Sequence, residues 1–119
     1  MRRSDEGAIT VEAALGLAGL TVLTVLSVAA LTIMSSQLRC LDAAREGARL
    51  LASGQPHQAA SAVHAIAPSG ATFDVHQAGE EIRVLVATHF AGGLLPAIDL
   101  KAEAYAVAEP GTAPTDEAR

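Results

Sequence analysis

Twenty-two consecutive uncharged residues, Ala13 to Met34, decide most of what this chain can be. At a rise of about 1.5 Å per residue they make a helix about 33 Å long, the thickness of a bilayer's hydrocarbon. The run is bordered on its N-terminal side by a carboxylate, Glu12. Five residues before that stands Gly7, which closes a short charged leader, Met1-Arg2-Arg3-Ser4-Asp5-Glu6-Gly7. An ionised group beside hydrocarbon is costly unless it is retracted, protonated or paired, so Glu12 is a candidate functional residue. Arg2 and Arg3 precede the run, whereas the first basic residue beyond it is Arg39. This bias places the N-terminus in the cytoplasm and the C-terminal body outside, in a single-pass arrangement.

The segment Gly7-Ala8-Ile9-Thr10-Val11-Glu12, followed by the apolar run, resembles the type IV prepilin signature. In that family a membrane peptidase cuts after a glycine, and the fifth residue of the mature chain is glutamate. A cut between Gly7 and Ala8 makes Ala8 first and Glu12 fifth. The stretch Leu41-Asp42-Ala43-Ala44-Arg45-Glu46-Gly47-Ala48-Arg49 and the short overall length narrow the resemblance to the TadE-like minor pilins of tight-adherence (Flp) pili. One departure is Ala13, where many Flp-type subunits carry an aromatic residue. The resemblance implies a prepilin peptidase, other pilin subunits, the Tad/Flp assembly machinery and membrane lipid as partners. It also implies a subunit-assembly role for Glu12, which would neutralise the free amine of a neighbouring subunit, and a location in the cytoplasmic membrane or the extracellular pilus.

With 119 residues, 50% of them hydrophobic, the chain offers one small extracytoplasmic domain besides its stem. Only 3% are aromatic, so Ala, Val, Leu and Ile must build the core. The formal charge of −5 provides no basic patch and argues against nucleic-acid binding. A single cysteine, Cys40, excludes an internal disulfide. Its place one turn past the apolar run leaves an intersubunit bridge or lipidation open, with a small apolar helix residue as the simpler reading.

The expected fold is α+β: a long N-terminal hydrophobic α-helix as a pilin-like stem, a short helix and a small three-stranded antiparallel sheet. Residues 1–7 are leader, and 8–53 are the stem helix with its extracytoplasmic extension. Residues 54–108 form the α+β domain, and 109–119 a disordered tail. Past the apolar run, Leu38, Leu41, Ala44 or Arg45, Ala48 and Leu51 recur at helical spacing, with Asp42–Arg45 and Glu46–Arg49 as i,i+3 pairs. Ser53-Gly54-Gln55-Pro56 stops this helix, and the alanine-rich stretch His57 to Ala67 makes a second one. From Ala71 the period becomes two. Ala71, Phe73 and Val75 alternate with polar residues, Gln77-Ala78-Gly79-Glu80 turns, and Ile82, Val84 and Val86 share the next strand's face. Beyond Phe90 to Pro96, a third strand alternates Ile98, Leu100, Ala102, Ala104 and Ala106 with polar residues. Its alanine face suits close packing against a helix.

The sequence holds no nucleophile elbow, phosphate loop or zinc spacing, so the expectation is a non-enzyme without cofactor or metal. His57 and His64, seven apart, read as surface histidines. His64 and His76 near Ser61, Ser69 and Asp74 read as a chance grouping. Two other readings compete with the pilin. A bitopic anchored binding module explains the span but gives the Gly7–Glu12 spacing no role. A secreted protein needs an apolar run well beyond the ~7–15 residues of a signal peptide's core.

Overall fold

The computed structural model describes residues 2–91 and 96–111. Two helices, α1 (Arg2–Ala52) and α2 (Pro56–Ile66), precede three strands: β1 (Thr72–Ala78), β2 (Glu81–Phe90) and β3 (Ile98–Val107). The strands form one antiparallel sheet in the order β1-β2-β3, giving the expected α+β fold. The chain divides into two units, Met1–Met34 and Ser35–Arg119.

The first unit is helix throughout its described length. It is long and apolar enough to cross a membrane, and its large apolar side chains, from Ile9 to Met34, are mostly exposed. The hydroxyl groups that interrupt it need no outside partner. Thr10, Thr21, Thr24, Ser27 and Thr32 each donate to the carbonyl four residues earlier at 2.8–2.9 Å. This back-bonding is how Ser and Thr are carried in apolar helices.

In the second unit, the C-terminal part of α1 packs on the sheet through Cys40, Ala43, Ala44 and Ala48, all buried. This stripe keeps Ala44 and Ala48 of the expected face, with Leu41 and Leu51 half-buried against it. It departs at Leu38, which is 60% exposed, whereas Cys40 and Ala43 are fully buried. The reason is steric: the facing sheet presents Ala102 and Ala104 beside Val84 and Val86, and small side chains on both surfaces let the backbones approach. Gly47 marks one such close approach. A Cβ there would lie 2.8 Å from Val63 Cγ2 on α2, 3.4 Å from Phe73 Cε2 on β1 and 3.6 Å from Val84 Cγ1 on β2.

The end of α1 is closed by backbone geometry. Gln55 N–H donates to Leu50 O at 2.9 Å and Gly54 N–H to Leu51 O at 3.0 Å, with Gly54 at φ 76°. This is a Schellman motif, in which the left-handed residue favours glycine. Pro56 then starts α2 at a position that needs no N–H. Arg39 closes α2, its Nε donating to Ile66 O at 2.9 Å and its Nη2 to Ala67 O at 3.3 Å. After β3 the chain returns to α1, where Glu109 N–H donates to Ala52 O at 3.0 Å. The expected disordered tail therefore begins with a tethered residue, and its stretch 112–119 lies outside the described residues, as does 92–95 of the β2–β3 connection.

The sheet's register follows from its turn. Ala78 pairs with Glu81 across the two-residue loop Gly79-Glu80, and Gly79 at φ 64° supplies the positive dihedral such loops require. Ile82, Val84, Val86 and Thr88 of β2 are buried on one face, opposite Ala106, Ala104, Ala102 and Leu100 of β3. β1 is less well covered: on the same face Phe73 is half-buried and Val75 is 40% exposed.

Candidate functional site

Gly7, Ala8 and Glu12 all lie on α1, which begins at Arg2, ahead of the glycine. The helix therefore runs through residues 2–7, and the Gly7–Ala8 bond is part of it. Ala8 and Glu12 are four apart and share a face. Glu12 is exposed. Past the first turn of the helix, it finds no free backbone N–H to bind, because those donors belong to the opening four residues. A Cβ at Gly7, Gly16 or Gly19 would meet nothing within 4 Å. Nothing in the single chain uses the small size of these residues.

The other singled-out residues separate. Cys40 is fully buried, which withdraws the thiol from an intersubunit bridge or a lipid and agrees with its reading as a small apolar helix residue. Burial pushes its thiol pKa up, against a smaller opposing effect of Arg39. Glu46 and Arg49 form a bidentate pair at 2.6 and 2.9 Å. Arg49 holds the Glu46 carboxyl below its ordinary range. Asp42 and Arg45, the other expected pair, make no such contact among the described residues. His57 and His64 are exposed on α2, and His76 and Asp74 are exposed on β1. Among the described residues no three potential metal ligands gather.

Several contacts escaped the sequence reading. Arg39 and Gln37, whose amide donates to Lys101 O at 2.9 Å, tie α1 to α2 and to β3. His89 meets Asp99 at 2.6 Å across β2 and β3. On the outer face Arg83 stacks 5.1 Å over the Tyr105 ring, whose hydroxyl donates to Glu103 at 3.0 Å. The Tyr105 and Arg83 positions follow from the alternation already read in β2 and β3. The Arg39 contact carries no local signal, because its acceptors lie 27 and 28 residues away.

These features define a small α+β body preceded by one N-terminal helix long and apolar enough to span a membrane. The chain is 46% identical over 101 residues to apoptosis inhibitor Rv3655c of Mycobacterium tuberculosis (strain ATCC 25618 / H37Rv), an alignment covering 85% of this chain and 79% of that protein. It belongs to the same family as that mycobacterial protein. No family model and no solved structure matches it.

Proposed function

We propose that the chain is a minor pilin of the TadE-like kind, cut by a prepilin peptidase after Gly7 and assembled through its apolar helix. The observation that carries this reading is the placement of Glu12. It is the carboxylate that borders the uncharged, exposed run Ala13–Met34 and stands fifth in the chain that such a cut would leave. A buried unpaired carboxylate is penalised, and the amine of a neighbouring subunit offsets the cost as the helix leaves lipid for a fibre. Cleavage first requires the helical Gly7–Ala8 bond to open. Its place near a helix end, and glycine's helix penalty of about 1 kcal/mol relative to alanine, make that opening easy. The body then decorates or caps the assembly, with no catalytic role.

Mass spectrometry of the membrane fraction tests the reading. The expected chain begins at Ala8; one retaining residues 1–7 in cells with an active peptidase refutes it. Gly7→Trp blocks processing, whereas Glu12→Ala leaves processing intact and lowers incorporation.

A second reading is favoured by the 46% identity: the chain inhibits apoptosis, as the relative's name says of that protein. Its test is survival of host cells challenged with an apoptotic stimulus, with and without the protein. Protection that persists in the Glu12→Ala chain supports a role independent of assembly.

A further inference from the structure

We propose that the open edge of β1 pairs with β1 of a second copy, antiparallel, about a two-fold axis through Val75. The backbone is prepared for it. Because Ala78 and Glu81 close a two-residue loop, they form a hydrogen-bonded pair, and pairs alternate along the ladder. Thr72, Asp74, His76 and Ala78 thus turn their N–H and C=O groups toward β2. The groups of Phe73, Val75 and Gln77 turn to the open edge. The far side of the sheet follows the same alternation, since Ala108 N–H donates to Glu80 O, flanking the Glu81–Val107 pair as a non-hydrogen-bonded pair requires. The β3 edge is engaged in part, its Lys101 carbonyl taken by Gln37. β1 has no such guard among the described residues.

The side chains select the register. Centred on Val75, the pairing sets Val75 against its own copy and Phe73 against Gln77, in hydrogen-bonded pairs. On the outer face Asp74 of each copy then meets His76 of the other. These are non-hydrogen-bonded pairs, whose side chains approach most closely. Each chain therefore supplies both halves of two opposite-polarity contacts. Shifting the axis to Asp74 or His76 would set like against like, which disfavours that register. On the inner face, Val75, 40% exposed, lies beside an apolar groove of about 240 Å³ lined by Leu51, Pro56 and Ile82. The second copy's Val75 covers this face. Arg83 stands beside His76 on β2, and the second copy's Asp74 balances that charge too.

The axis is perpendicular to the sheet, which sets the relative direction of the two bodies. From Gln37, bonded to Lys101, to Ala52, bonded to Glu109, α1 runs in the direction of β3. The two-fold reverses that direction, so the Ser35 ends of the two bodies lie on opposite sides of the pair.

The test uses the full chain with Cys40→Ala, which removes the native thiol. Copies with Asp74→Cys and copies with His76→Cys are mixed in detergent and oxidised. A disulfide between residue 74 of one copy and residue 76 of the other is expected only in the mixture. Its absence, or a faster 74–74 or 76–76 bridge in the unmixed samples, overturns the proposal. In detergent, the otherwise unsubstituted chain is expected to sediment as a dimer. Asp74→Lys lowers the dimer fraction, and Asp74→Lys with His76→Glu in one chain restores it. A dimer fraction unaffected by Asp74→Lys overturns the register.

Discussion

Replacing Gly47 by alanine adds one methyl group at a close helix–sheet contact, 2.8 Å from Val63 Cγ2. Two terms oppose each other. Alanine gains about 1 kcal/mol over glycine inside a helix. Overpacking costs roughly 1–3 kcal/mol when the neighbours cannot yield. Val63 has little freedom to yield, being fully buried and β-branched, with one strongly preferred rotamer in a helix. Phe73 and Val84, at 3.4 and 3.6 Å, close off the sheet side of the new methyl. The clash should win, leaving Gly47→Ala less stable by about 1 kcal/mol. Val63→Ala alone removes two methyl groups from the core and should cost about 2–3 kcal/mol. Combined, the methyl introduced by Gly47→Ala fills part of the space vacated by Val63. The double variant should therefore be more stable than the sum of the singles by about 1 kcal/mol or more. The assay is urea unfolding of the full chain in detergent, followed by circular dichroism, with hydrogen exchange of β2 amides as a local readout. A Gly47→Ala chain at least as stable as wild type, or single effects that add to within about 0.5 kcal/mol, would refute the close-contact argument.

Arg39→Ala should unfasten the end of α2 at a cost of about 1 kcal/mol, seen as faster exchange of the amides of Val63 to Ala67. Cys40 should resist maleimide in the folded chain and react fully in urea, because burial both hides the thiol and disfavours its reactive thiolate. The Glu46 carboxyl should titrate below the ordinary glutamate range, and Arg49→Gln should return it upward in a carbon-detected NMR titration. Since the folded-state value is the lowered one, the pair's contribution is full above the ordinary carboxylate range. It is lost as pH falls through the lowered value.

The strands were legible because their signal is local. A period of two with alanine and valine on one face and charged residues on the other fixes both the strand and its inward side. Gly79 then fixes the hairpin. The long helix was legible for the same reason. The helix's contact face was legible in part: Ala44 and Ala48 are buried and Leu41 and Leu51 pack against the core as their spacing indicates, but apolarity also pointed to Leu38 while packing selected Cys40, Ala43 and Gly47. Hydrophobic spacing ranks residues by size, whereas a helix lying on an alanine-rich sheet is governed by how closely backbones can approach. Gly47 carries no distinguishing mark in the linear chain, since its value depends on Val63 and Phe73, 16 and 26 positions away. The candidate site stands at the opposite extreme. Gly7 and Glu12 are singled out by linear spacing, and the folded single chain adds no contact to them.

That absence of contact has a physical reading of its own within the proposed function. The hydroxyls of the apolar helix are satisfied by carbonyls of their own helix, so they make no demand on lipid or on a neighbour. An ionised carboxylate only accepts hydrogen bonds, and a helix interior offers it no donors. In the uncut chain the acids in the opening turns are Asp5 and Glu6, near the helix's positive end. A cut after Gly7 removes both and creates a new helix end at Ala8. The N–H groups of Ile9, Thr10 and Val11 then become free donors, with Glu12 directly beyond them and the new amine of Ala8 one turn away. Processing thus changes Glu12 from a costly mid-helix charge into one beside a positive helix end. If so, Glu12→Gln should leave the uncut chain's helix unchanged or stabilised, and should destabilise the first turn only in a chain synthesised to begin at Ala8. Hydrogen exchange of residues 11–16 in the two forms measures this, and an equal effect of Glu12→Gln in both would separate the carboxylate's role from the cut.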